Sequence, residues 1–342
     1  AAQTLSYEGS DLQYSTDGTT FQALPASTPV EFGGNTKLYL RGVNNLDGNS
    51  YESSGYTYGY KISFGNDDVP VACTGDIRTL IDYNTYKTVD TSNAIFATLF
   101  EYCTELTSAP ALPATTLAAN CYFSMFYGCT SLEEAPVLPA TTLAIQCYNR
   151  MFYGCTSLVN APALPATDLA DYCYADMFHG CTSLENAPVL PATTLTIQCY
   201  FGMFSGCTSL VNAPALPATT LANSCYFSMF SSCTSLVNAP KLPATTLATH
   251  CYNSMFRNCT SLVNAPELRA TTLANYCYDM MFYGCTSLNK ITMLATDISA
   301  TNCLKDWVDG VAATGTFTKD ASMTTLPTGD SGIPTGWTVV NQ

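Results

Sequence analysis

The groups best equipped for chemistry in this 342-residue chain are seventeen cysteines and two histidines. One column of thiols runs Cys103, Cys129, Cys155, Cys181, Cys207, Cys233, Cys259 and Cys285. A second runs Cys121, Cys147, Cys173, Cys199, Cys225, Cys251, Cys277 and Cys303. Every step is 26 residues, and Cys73 alone stands outside. Thiols in such numbers can be oxidised to disulfides, can hold zinc, or can attack a carbonyl. Zinc favours close pairs of the C-x₂₋₄-C type, whereas spacings of 8 and 18 along the chain bring no such cluster together. A cysteine nucleophile needs a base beside it. The two histidines, His179 before Gly180-Cys181 and His250 before Cys251, occupy positions that hold Tyr, Ser, Arg, Asn or Gln in other repeats, which reads as a solvent-facing substitution. Neither a metal, nor a cofactor, nor a catalytic residue is expected.

The elements that must position these residues follow from the period. The Ala-Pro pair recurs at Ala109-Pro110, Ala135-Pro136, Ala161-Pro162, Ala187-Pro188, Ala213-Pro214, Ala239-Pro240 and Ala265-Pro266, again 26 apart. A fixed period of this size marks stacked repeats, each unable to bury its own apolar face alone. Within one repeat, Leu117, Cys121, Met125 and Cys129 fall at i, i+4, i+8 and i+12, widened by Tyr122 and Phe126. That spacing predicts a helix with one buried stripe, capped by Thr115 or Thr116 and left through Gly128 in a left-handed conformation. A short strand near 130–135 should follow, running into polyproline-like backbone, because Pro136 and Pro139 lack ladder donors.

The helix reading also bears on the disulfides that seventeen cysteines would suggest in an oxidising compartment. Cys121 and Cys129 would lie about 12 Å apart along a helix. Neighbouring helices packed at about 8–10 Å would hold Cys121 and Cys147 beyond the ~7 Å that a disulfide spans. Cys129 and Cys155, nearer the strand side, are the pair least excluded, and the odd total leaves one thiol free in any case. The columns are expected to be small buried apolar fillers.

Composition narrows the function. Charged residues make up 11%, apolar residues 47%, and 26 acidic residues stand against 12 basic ones, a formal charge of −14. An acidic surface without a basic stripe disfavours nucleic acid. No apolar run approaches the ~20 residues of a membrane span, so no membrane insertion is expected. The opening "AAQTLSYEG" lacks a charged region followed by an apolar core, so any export signal is absent from this sequence.

Residues 1–68 read as a small β-sandwich. Alternating runs at 37–43 and 56–64 are separated by the turn signals Asp17-Gly18, Gly33-Gly34 and Asp47-Gly48. A linker and N-terminal cap over 69–105, the repeat array over 106–312 and a C-terminal cap over 313–342 complete the division. The ends of the array are degenerate: Ile95 takes a cysteine position, Leu99-Phe100 that of Met-Phe, Trp307 that of methionine, Leu304 that of tyrosine and Arg269 that of a proline.

The frame MFxGCTSLxxAPxLPATTLAxxCY closely resembles the BspA-like leucine-rich-repeat proteins of bacterial cell surfaces, over about 99–311. The segment Leu12–Asn44 is similar to the β-domain that precedes such arrays. The resemblance implies a leucine-rich-repeat α/β solenoid, a helix plus a short strand per repeat. It also implies export to the cell surface or secretion and, for some members, attachment to host proteins; it carries over no catalytic residue. Its commonest repeats are shorter than 26, which leaves the curvature open.

Two further motifs tempt. "LPATT" resembles a cell-wall sorting signal but recurs internally with Thr where Gly belongs, so it reads as a turn. The tyrosines 122, 148, 174, 200, 226, 252 and 278 could form a sugar platform, but their place beside the buried stripe favours a packed ladder with the hydroxyls at its rim. Binding is better sought where repeats differ. Glu133, Glu134, Asn160, Glu185, Asn186, Asn212, Asn238 and Asn264 follow the first leucine of each repeat, and Lys241 and Glu267 lie further along the same wall. This long face, nearly free of charge, suits an extended partner, so the chain reads as a non-enzymatic binder of an extracellular protein or glycan. A passive spacer is the alternative, and a hydrolase is the third class.

Overall fold

The structure is a computed structural model that describes residues 2–33, 37–45, 50–53, 56–91 and 93–342. Gly34, Asp47 and Gly48 of the expected turns, and the side chains of 56–58, lie outside the described residues.

The N-terminal region is antiparallel. β1 (Ala2–Tyr7) is central between β4 (Val30–Gly33) and β8 (Ile62–Phe64), and β2 (Leu12–Ser15) lies between β3 (Gln22–Ala23) and β5 (Tyr39–Gly42). β6 (Ser50–Ser53) pairs with β7 (Tyr56–Gly59). Leu5, Tyr7, Leu12, Leu24, Val30 and Ile62 are buried, as alternation on a half-covered strand requires. Asp17-Gly18 does turn the chain: Gly18 has φ +75° and donates to Ser15 Oγ at 2.9 Å. This region seals the first coil of the array. Ile62 N–H donates to the Leu99 carbonyl (2.7 Å), Cys103 Sγ to the Ile62 carbonyl (3.2 Å), and Lys61 pairs with Glu101.

From about residue 94 the chain winds as a solenoid with one coil per repeat. The expected helix is absent. The one helical element among the described residues is a 3-10 turn, Ile77–Leu80, capped by the Asp76 carboxylate. In its place stands a run of consecutive tight turns. Asn120, Ser124 and Gly128 have φ of +58°, +50° and +71°, and equivalent residues repeat this in every later coil. A left-handed residue at every fourth position cannot belong to an α-helix. Backbone hydrogen bonds alternate instead. Tyr122, Ser124, Phe126 and Gly128 donate to Cys147, Asn149, Met151 and Tyr153 of the next coil at 2.7–2.9 Å. Cys121, Phe123, Met125, Tyr127 and Cys129 donate to carbonyls three residues back at 3.1–3.2 Å. Each buried N–H thus finds a partner without a helix. Thr115 and Thr116 cap nothing; Thr116 bridges Thr142 instead.

The opposite, extended wall is sparsely bonded. The expected strand is reduced to single parallel bridges, Ser108 with Glu134, Glu134 with Asn160, Asn160 with Asn186, Asn212 with Asn238 and Asn238 with Asn264. Prolines along this wall remove the donors a longer ladder needs. Regular parallel pairing appears at the two ends. There β9 (Val71–Ala72) joins β10 (Leu106–Ser108), and β11 (Asn264–Leu268), β12 (Lys290–Met293), β13 (Thr316–Lys319) and β14 (Thr338–Asn341) form one sheet in that order.

Between the walls, equivalent side chains stack. Phe126, Phe152, Phe178, Phe204, Phe230, Phe256 and Phe282 follow one another at 5.6–5.8 Å with nearly parallel rings. The tyrosines from Tyr122 to Tyr278 do so at 5.7–6.1 Å. Trp307, fully buried, ends both ladders and donates its indole N–H to the Gly332 carbonyl at 2.9 Å. Equivalent rings also stack on the outer surface of the turn wall, at 4.6 Å for Tyr127–Tyr153 and 4.9 Å for Phe201–Phe227.

Candidate interaction surfaces

The extended wall exposes what the sequence assigned to it. Glu133, Glu134, Asn160, Glu185, Asn186, Asn212, Asn238, Lys241, Asn264 and Glu267 are all exposed. They project from the wall because Leu132, Leu158, Leu184, Leu210, Leu236 and Leu262, one or two residues before the acidic and asparagine positions, and Leu242 and Leu268, just after Lys241 and Glu267, are buried. Within the asparagine file Asn186 Nδ2 donates to Asn160 Oδ1 at 2.9 Å, so these two amides orient one another. Beside them stand Val137 and Val189, 78% and 77% exposed. Isolated exposed valines are ordinary; here they recur on one wall, with Val159, Val211 and Val237 a few residues away.

The cysteines are reduced, and all sixteen of the two columns are buried. Coils joined by backbone ladders lie at strand-like spacing, about 5 Å, within the Cα range of a disulfide. The expectation that helix packing would hold them apart therefore falls with the helix. The thiols are instead engaged as donors. Cys129, Cys155, Cys181, Cys207, Cys233, Cys259 and Cys285 each point Sγ at the carbonyl of the phenylalanine 29 residues earlier, at 3.0–3.1 Å. Burial pushes the ionisation of both columns up, to about 12 for Cys181, Cys233 and Cys285 of this column and for Cys147 of the other. At neutral pH these groups are neutral thiols rather than nucleophilic thiolates.

The histidine rings lie on the outer surface of the turn wall. His179 stacks on Tyr153 at 4.4 Å, with Nδ1 3.5 Å from Asp176 Oδ1. His250 stacks on Tyr276 at 4.5 Å and meets Asn253 Nδ2 at 3.1 Å. Their sequence neighbours Cys181 and Cys251 are buried in the interior. No group of three His, Cys, Asp or Glu side chains could hold a metal ion among the described residues. The tyrosine column is a packed ladder, as expected, but at Tyr174 the hydroxyl is buried rather than at a rim. "LPATT" runs from the extended wall into the corner that begins the next coil. No helix in the described residues is long and apolar enough to cross a membrane.

Sequence reasoning missed two features. The thiol-to-carbonyl bonds leave no trace in residue type, since a filler and a donor are both cysteine. The outer ring stack Tyr127–Tyr153–His179 was visible as a 26-spaced file of planar side chains.

The family model described as BspA type leucine rich repeat region matches residues 83–202 and 171–304, with six copies. A solved structure, a leucine-rich repeat protein from Bacteroides ovatus, is 17% identical over 66% of this chain and 73% of that one, with a TM-score of 0.31, too low to support an argument. No curated protein matches the chain. With a repeat model spanning well over half its length, and coils that stack at the period its cysteines set, the chain belongs to the BspA-type leucine-rich repeat family.

Proposed function

We propose that this protein is displayed on or secreted from the cell and binds an extracellular protein or glycan without catalysis, through the extended wall of its solenoid. In this reading a small β-sandwich over 1–68 and a linker and cap over 69–105 lead to an array over 106–312 and a terminal cap over 313–342. The observation that carries it is the wall itself. Successive coils place Glu133, Glu134, Asn160, Glu185, Asn186, Asn212, Asn238, Lys241, Asn264 and Glu267 in exposed positions that packing leaves free to vary. Such a surface presents hydrogen-bonding amides and isolated apolar side chains at the regular interval an extended ligand needs. Family membership supports a role in interaction.

The test is binding of the purified protein to immobilised matrix proteins, mucin and glycans, repeated with Val137→Glu/Val189→Glu. Binding to at least one ligand that falls tenfold or more in the variant is expected; no binding across the panel, or binding indifferent to the substitutions, contradicts the reading. A second reading, a spacer displaying another module, draws on the constancy of the phenylalanine ladder at 5.6–5.8 Å, which repeats one stacking contact from coil to coil. Removing coils one at a time separates the two, since a spacer loses function in proportion to length and a binder loses it abruptly at particular coils.

A further inference from the structure

At the corner leading from the extended wall to the turn wall, two side chains per coil face solvent. They are Thr115-Thr116, Thr141-Thr142, Thr193-Thr194, Thr219-Thr220, Thr245-Thr246 and Thr271-Thr272, with Asp168 after Thr167 in the remaining coil. The coils are not joined uniformly there. At three junctions two N–H groups converge on one carbonyl: Thr141 and Thr142 on Thr115, Thr219 and Thr220 on Thr193, and Thr296 and Asp297 on Thr271, at 2.8–3.3 Å. At the four other junctions the equivalent groups make no such bond. Closure thus recurs at every third coil. The following leucine reports it: Leu117, Leu195 and Leu273 are buried, whereas Leu143, Leu169, Leu221 and Leu247 are half-buried.

The corner lies beyond the last turn-wall column bonded at every junction, the file in which Asn120, Gln146 and their equivalents donate to the next coil. Coil 245–246 is open on both sides. This coil and the next together line a surface cleft, open to solvent, of about 310 Å³, in which Leu247, Leu273 and Ala274 stand beside Thr245, Thr246, Thr271 and Thr272.

The cleft offers four hydroxyls, each both donor and acceptor, and main-chain groups freed by the open junction. Its apolar side comes from leucine and alanine, and no ionisable side chain lines it. A charged ligand would find no counter-charge. A ring with hydroxyls along its edge and C–H groups on its face fits both surfaces, and the volume suits one ring or two. We propose that this cleft is a binding site for a neutral pyranose sugar, separate from the extended wall and independent of what that wall binds.

Saturation-transfer NMR on the full chain with galactose, mannose, N-acetylglucosamine and their disaccharides tests this, with amide shifts followed at Thr271 and Thr272. At least one neutral sugar should bind and shift those amides. Thr245→Val/Thr246→Val should weaken it tenfold or more without moving the melting temperature, and Thr246→Ser should retain binding. The proposal is overturned if no neutral sugar binds, if the shifts fall elsewhere, or if the double variant binds as the parent does.

Discussion

The thiol of Cys155 donates to the carbonyl of Phe126, 3.1 Å away and 29 residues earlier in the chain. That carbonyl already accepts the N–H of Cys129 at 3.2 Å, so the sulfur supplies its second donor from the next coil. The bond ties neighbouring coils from within, and the sulfur fills the space beside it. Replacing Cys207, bonded in the same way to Phe178 at 3.1 Å, with alanine removes both contributions but leaves the carbonyl with one donor. The expected loss is about 1–2 kcal/mol in urea titration. An unchanged midpoint would show that the thiol contributes neither bond nor volume.

Burial should also govern reactivity. At neutral pH, without denaturant, a maleimide should modify none of the sixteen column cysteines, because the thiols are both covered and held protonated. Half-buried Cys73, pushed up to about 11, is the one thiol near the surface. In denaturant all seventeen should react. Mass spectrometry of the labelled peptides distinguishes these states, and native labelling within either column would contradict the burial described.

Stability should fall steeply in alkali. A thiol that ionises near 9 when unfolded and near 12 when folded leaves stability untouched below about pH 9. Above that, the unfolded chain releases the proton and the folded one keeps it, so stability declines by up to about 1.4 kcal/mol per pH unit for each thiol until the folded value is reached. Buried tyrosines such as Tyr278, raised by the same desolvation, add to the fall above pH 10. Denaturant midpoints measured from pH 7 to 10 should be flat and then drop sharply, with proton uptake on refolding. A midpoint constant through pH 10 would contradict the desolvation of these columns.

The left-handed positions make a paired prediction. Gly154 has φ +70°, and a Cβ there would meet nothing closer than Gly128 Cα at 3.9 Å, so Gly154→Ala bears the cost of the conformation alone, about 1–2 kcal/mol. Gln146 holds φ +57° with a side chain, and Gln146→Gly should recover part of that cost, up to about 1 kcal/mol after the added freedom of the unfolded chain. Thermal unfolding of the two variants should shift in opposite directions; shifts of the same sign would argue against the turn geometry.

The repeat, its buried columns and the exposed wall could be read from residue spacing, because period and burial are both properties of residue type. Leu117, Cys121, Met125 and Cys129 are all buried, as the sequence predicts. The helix could not be read correctly from the same list. A spacing of strictly four is shared by an α-helical stripe and by successive tight turns. An α-helix advances about 40° too far at each such step, so over Leu117 to Cys129 the stripe would drift about 120° around it. That drift favours turns, and Asn, Ser and Gly at positions 120, 124 and 128 support them, being residues that tolerate a left-handed conformation or a turn. The closure of the threonine corner at every third coil has no counterpart in residue type, since Thr-Thr-Leu stands at open and closed junctions alike and a Thr-Asp pair occurs at both, open at Thr167-Asp168 and closed at Thr296-Asp297.

The central claim is that successive coils are held together by backbone and side-chain columns rather than by packed helices. Scalar couplings across hydrogen bonds, measured by NMR on labelled protein, test it most directly. The account predicts correlations from the amides of Tyr148, Arg150, Phe152 and Gly154 to the carbonyls of Cys173, Ala175, Met177 and His179 in the next coil. Correlations from those amides to carbonyls four residues back in their own segment, as in an α-helix, would contradict it.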